Sequence, residues 1–246
     1  MRRIRLTLSY DGTAYAGWQR QKNGLAVQQV VEECLERATG VPVRITGASR
    51  TDAGVHALGQ ACHFDTESGI PPEKYPYVLN TMLPGDIRCL EGVQVDDDFS
   101  ARFHTRGKWY TYRFHNAPHA SALYRNTRTH VPLPLDDALM NAAAQRLVGT
   151  HDFAAFAAQG GSAKTTVRTI HEIHVTRQGE LVSLTVYGNA FLYNMVRIIA
   201  GTLIEIGHHR LPPECLTEAI ETGNRLCLGP TAPPNGLELT KVLYDE

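Results

Sequence analysis

The stretch GASRTDAGVHALGQ, residues 47–60, lies between two β-prone runs, and the rest of the chain is best read outward from it. Glycine and alanine surround an Arg50-Thr51-Asp52 centre, so the backbone here can approach a ligand closely. Arg50 offers a planar donor fork suited to phosphate or to a base edge. Asp52 is a carboxylate that a nearby cation can hold ionised at neutral pH. A turn in which Asp52 caps the backbone and Arg50 points into solvent fits the same residues. The stretch alone leaves both readings open.

On either side, Val41–Thr46 and Gln60–Asp65 read as strands. Further upstream, Leu25–Thr39 has apolar residues at helical spacing, with Gly40 where a helix-ending glycine belongs and Pro42 just beyond. Ile4–Tyr10 alternates apolar and polar residues like a half-buried strand, and Asp11-Gly12 supplies a turn. Downstream come a short helix near Glu73–Met82 and a strand at Ile87–Val95. Lys108–His115 is strongly β-prone, and Asp136–Val148 is an amphipathic helix with acidic residues in its first turn. Thr166–Thr176 and Leu181–Tyr187 form a hairpin across Gln178-Gly179. Phe191–Ile206 reads as a long apolar helix, Glu214–Thr222 as another, and Leu237–Tyr244 as a closing strand. Strands joined by hairpins and helices indicate an α+β fold with layered sheet and helices. The expected organisation is an N-terminal domain over residues 1–105, carrying the Asp52 loop, and a C-terminal domain over 106–246.

The 246 residues suffice for one large domain or two modest ones, with 43% hydrophobic and 20% charged residues as in ordinary globular proteins. No run approaches the length of a membrane span, and no secretory leader is legible. Cys34, Cys62, Cys89, Cys215 and Cys227 are scattered without a CxxC pair, so buried thiols in a reducing cytoplasm are expected. The net charge of −1 conceals segregation. Phe99–Leu135 has no acidic residue but holds Arg102, Arg106, Lys108, Arg113, Arg125 and Arg128. The first 31 residues carry Arg2, Arg3, Arg5, Arg20 and Lys22 against Asp11 alone. Such faces suit a phosphate-bearing partner, although two solvated strand faces would look the same. No Walker loop or dinucleotide fingerprint is present. His171 with His174, and His208 with His209, lack a ligand motif, so neither a metal nor a cofactor is expected.

GASRTDAGVHALGQ resembles the central motif of the TruA-type tRNA pseudouridine synthases. Two further segments are similar to the same family. Lys108-Trp109-Tyr110-Thr111-Tyr112-Arg113 matches its basic-Tyr-x-Tyr strand, with Trp109 where many members have Arg or Lys. Phe191-Leu192-Tyr193-Asn194-Met195-Val196-Arg197 matches its FLxxMVR segment. The likeness extends to Tyr10-Asp11-Gly12-Thr13, Gly17-Trp18-Gln19, Gly149-Thr150-His151-Asp152-Phe153 and Gly236-Leu237-Glu238-Leu239, so it spans nearly the whole chain.

The resemblance implies the pseudouridine synthase fold, two similar α/β halves with largely antiparallel sheets flanked by helices, the second half completing the active-site cleft. It implies isomerisation of uridine to pseudouridine at positions 38, 39 and 40 of the tRNA anticodon stem-loop. In that reading Asp52 is catalytic, Arg50 helps extrude the base, Tyr110 stacks on uracil, and Arg197 pairs with the aspartate. His56 belongs to the motif without a defined role. A cytoplasmic homodimer without a cofactor is implied too. Core packing of Tyr110 and Tyr112, which share a strand face, and an unrelated ion pair for Arg197 are the bland alternatives. A non-catalytic RNA-binding module would not require Asp52, Tyr110 and Arg197 together. A glycosidase usually requires paired carboxylates, and the loop around Asp52 supplies one.

Overall fold

Alternation in the opening residues becomes β1 (Arg2–Tyr10), whose Ile4, Leu6, Leu8 and Tyr10 are all buried while the residues between them are half-exposed. The structure is a computed structural model describing residues 1–245. It divides into two compact units, one comprising Met1–Arg106 with the segment from Glu238 onward, the other Gly107–Leu237. A single cut near residue 105 would assign that last segment to the second unit.

In the first unit, α1 (Val27–Thr39) ends where Gly40 adopts a left-handed conformation, φ 78°, and donates its N–H to the Glu36 carbonyl. A two-residue β2 (Thr46–Gly47) and the long β3 (His56–Thr66) follow. After α2 (Tyr75–Asn80) comes β4 (Ile87–Val95). β1 lies between β3 and β4, antiparallel to both, in register Ile4 with Phe64 and with Gln94. The C-terminal strand (Leu237–Tyr244) returns to run parallel to β3, pairing Glu238 with His56. α2 packs against β4, and the Tyr75 ring meets Phe64 edge-on.

Val41–Ile45 is not a strand. Val43 and Ile45 are buried as expected, but helix side chains take the backbone groups of Ile45. Its N–H donates to Glu32 Oε1 at 3.2 Å and its carbonyl accepts from Gln28 Nε2 at 3.0 Å. Both partners lie on α1, so no ladder forms before Thr46.

The second unit is built on β5 (Thr105–Asn116), with β6 (Thr129–Val131) parallel to its end. Next come α3 (Asp137–Ala144), the edge strand β7 (Gly149–Asp152), and the hairpin β8 (Val167–Gln178) and β9 (Leu181–Gly188). The last helices are α4 (Met195–Gly207) and α5 (Cys215–Thr222). β5, β9, β8 and β7 are neighbours in that order, each pair antiparallel. α3 packs on β8 and on α4. Each unit is therefore α+β with a mostly antiparallel sheet. The short β6 and β7 lack the alternating runs that mark the other strands.

α4 starts at Met195, not at Phe191, because Asn194 sits in the left-handed region at φ 60°. Asparagine tolerates that region better than most residues. The chain thus turns before the helix and places Arg197 in its first turn.

Candidate functional site

The Asp52 loop of the first unit is held from several sides. Trp18 N–H donates to the Thr51 carbonyl at 3.0 Å and Gly54 N–H to the Tyr15 carbonyl at 3.3 Å. Buried Gln60 reaches back from β3, its Oε1 accepting from Ser49 N–H at 3.2 Å and its Nε2 donating to the Ser49 carbonyl at 2.7 Å. The hydroxyls of Tyr10 and Thr51 share a bond of 2.8 Å. Gly17, at φ 93°, has no room for a side chain, since a Cβ there would lie 2.6 Å from the Thr51 carbonyl. Ser49 and Thr51 are buried, Arg50 is exposed and Asp52 is half-buried. Within the turn, the Asp52 main-chain carbonyl accepts from Val55 N–H at 3.1 Å. The loop is therefore a braced support presenting Arg50 and Asp52, and Gln60, which no periodicity marked, is one of its braces.

His56 follows directly and is buried at 7% exposure. Its Nδ1 lies 3.0 Å from Gly12 N–H and 3.1 Å from Asp11 Oδ1, so whether Nδ1 carries a hydrogen decides which contact is a hydrogen bond. Burial pushes the Asp11 carboxyl up, but two hydrogen bonds from Thr13 and the neighbouring His56 outweigh it and hold its pKa below the usual range. The YDGT segment and the Asp52 loop are thus joined through one imidazole.

In the second unit the two tyrosines of β5 do share a face, and they differ. Tyr112 is fully buried, donating to the Pro233 carbonyl at 2.7 Å and bonded to Thr129 Oγ1, and burial raises its pKa. Tyr110 keeps 8% exposure and meets the Phe191 ring edge-on at 5.1 Å. Arg197 Nε donates to the Ala232 carbonyl and Nη1 to Asn194 Oδ1, both at 2.8 Å. The same turn that delays α4 thus supplies an anchor for this guanidinium.

Trp109 stacks on Tyr187 at 4.9 Å, so it is an aromatic packing position rather than a charged one. The basic run after Phe99 is dispersed: Arg102 lies over Phe103, Arg128 over Tyr124, Arg106 pairs with Asp245, and Arg125 donates to the Ala122 carbonyl. Among the described residues no helix is long and apolar enough to cross a membrane.

A family model described as tRNA pseudouridine synthase matches residues 7–104 and 143–245. The chain belongs to the tRNA pseudouridine synthase family. Pseudouridine synthases are isomerases, and this chain is one. A relative from Acetivibrio thermocellus, named tRNA pseudouridine synthase A, is 47% identical over 244 residues, covering 99% of this chain and 100% of the relative. One of the same name from Ruminiclostridium cellulolyticum is 47% identical over 245 residues, with the same coverage. A chain in a structure of an H/ACA RNP bound to a substrate RNA containing 2'-deoxyuridine matches 82% of this chain and 44% of its own at 12% identity, with a TM-score of 0.39. That likeness is too distant to carry weight. Arg50, Asp52 and Arg197 fall inside the residues matched by the synthase model, whereas Tyr110 falls in the interval between them.

Proposed function

We propose that this enzyme isomerises uridine to pseudouridine at positions 38, 39 and 40 of the tRNA anticodon stem-loop, with Asp52 as its catalytic carboxylate. The observation that carries the reading is the braced loop on which Asp52 stands beside exposed Arg50. A catalytic group needs such fixed support, because small misplacements sharply lower rate.

The reaction breaks the bond from the sugar to N1 and makes one from the sugar to C5. The hydrogen on C5 is lost and N1 gains one, so substrate and product have the same atoms. No oxidant or group donor is required. The target base leaves its stack before chemistry, at a cost of a few kcal/mol. Arg50 occupies the vacated space and Tyr110 stacks on the extruded uracil. Asp52 acts on the nucleoside to release uracil, which turns and rejoins through C5. Tyr110 serves as base or relay for the C5 proton, and Arg197 keeps Asp52 ionised and oriented. By family resemblance the enzyme works in the cytoplasm as a homodimer.

Tritium release from C5-labelled uridine in an unmodified anticodon arm tests the reading, comparing wild type with Asp52→Ala. Release by wild type alone, without free uracil, is expected. Equal release by both would remove Asp52 from the chemistry, and free uracil would mean a hydrolase. Sedimentation equilibrium checks the dimer, for which a monomer mass at micromolar concentration is the contrary result.

A further inference from the structure

The four arginines near the N-terminus divide into two groups. Arg2 donates to the Ser68 and Ile70 carbonyls, Arg3 binds Asp65 and the Phe99 carbonyl, and Arg5 faces Glu91 and the Tyr244 ring. These three stitch the unit together. Arg20 is different, because it shares its acid with a second arginine. Arg20 Nη1 and Arg44 Nη1 lie 3.0 and 2.8 Å from the same atom, Glu32 Oε2, so the two nitrogens are no more than 5.8 Å apart, the sum of those distances.

Glu32 itself has only 3% exposure, and its other oxygen accepts from Gln28 Nε2 and Ile45 N–H. One carboxylate oxygen is thus satisfied from inside, and the other is shared by the two arginines. The arginines are not saturated, since their side chains are 41% and 74% exposed and each uses one nitrogen on Glu32. Two guanidiniums are therefore held close with one negative charge between them, leaving a net positive site with its remaining donors toward solvent. An anion would relieve their repulsion, and the guanidinium fork matches phosphate oxygens.

Position gives the site a use. Arg20 N–H donates to Gln28 Oε1, Gln28 N–H to the Trp18 carbonyl, and Trp18 N–H to Thr51 beside Asp52. The same short chain of bonds braces the catalytic loop and sets the arginine pair.

We infer that Arg20 and Arg44, splayed on Glu32, form a clip for the phosphodiester backbone of the RNA whose uridine reaches Asp52. This rests on the proposed function for the identity of the RNA, but not for the phosphate contact. A surface network that only secures Ile45 would use the same ion pairs and would be indifferent to RNA.

Binding of an unmodified anticodon arm, followed by fluorescence anisotropy against KCl concentration, separates the two. Each phosphate contact contributes about 0.7–0.9 to the slope of log K against log salt. An Arg20→Gln, Arg44→Gln double variant should lose about 1.4–1.8 of slope. The Arg20→Lys, Arg44→Lys pair should recover most of it. A folded Gln variant, checked by its melting curve, with wild-type slope would overturn the clip. Should the double variant not fold, Arg44→Gln alone decides in the same way, with about half the change expected. Tritium release by wild type is scored alongside. A changed slope without wild-type release would keep the clip and sink the synthase reading, whereas release with an unchanged slope would do the reverse.

Discussion

At Gly12 a hydrogen stands where a methyl group would lie 2.0 Å from the Val55 carbonyl, against the loop that carries Asp52. Backbone cannot yield cheaply there, so Gly12→Ala is expected to cost about 1–3 kcal/mol by overpacking and to lower turnover by displacing Asp52. Gly40 is a useful contrast, since φ 78° opposes a side chain but nothing lies within 4 Å. Gly40→Ala should cost about 1 kcal/mol and leave kcat untouched. Thermal melts with steady-state rates read both, and equal kcat values in the two variants would argue that the loop does not need its brace. Asp52→Asn removes the charge and keeps the shape. It should lower turnover by at least about a thousandfold while tRNA affinity stays within a few fold. Substantial activity in that variant would overturn the catalytic assignment.

Among the elements, α4 joins structure to the candidate site most directly. Ten of its thirteen residues are buried, yet its first turn holds Arg197, whose guanidinium bonds Ala232 and Asn194. Arg197→Ala removes both bonds and should cost about 1–3 kcal/mol, with a fall in kcat larger than destabilisation explains. Arg197→Lys keeps the charge without the Nε geometry and should recover only part of the rate. Full recovery would reduce the residue to a point charge. α1 plays the other supporting role, because Gln28 and Glu32 on its buried face hold the Ile45 backbone that would otherwise have sought a strand.

For the first unit as a whole, acid stability depends on groups kept from their protonated forms. Burial, and next to it the Arg3 charge, lowers the pKa of His63, whose Nδ1 accepts from Ala101 N–H at 3.1 Å. The unfolded chain then binds a proton at higher pH than the folded one. His63 thus contributes stability above its ordinary value near 6.5, and that contribution is lost as pH falls through the lowered value. The melting temperature should decline from pH 7.5 to 5.5, less steeply in His63→Asn, which can still accept the Ala101 bond. Parallel pH profiles would remove His63 from the account. Further losses should come below the ordinary Asp range, near 3.8, where the Arg3 hydrogen bond depresses Asp65 and the Thr13 and His56 contacts outweigh burial to depress Asp11.

Much of this was legible along the chain. The alternation of Ile4–Tyr10, the stop at Gly40 and the β8–β9 hairpin itself are each settled by a few adjacent residues, because helix and strand periods and turn chemistry are local. The hairpin's turn falls at Gly179-Glu180, one residue beyond the expected Gln178-Gly179. Arg50 and Asp52 could be singled out as candidates for the same reason, standing two residues apart in one contiguous motif. Only the tertiary structure decided which distant segments supply bonding partners. It gave the Ile45 backbone to α1 and the last strand to β3, and it set Gln60 under Ser49 and brought Arg20 and Arg44 to one buried carboxylate. Those outcomes follow from the need of every buried polar group for a partner, and the partner that chain packing brings within 3 Å can come from any distance along the sequence.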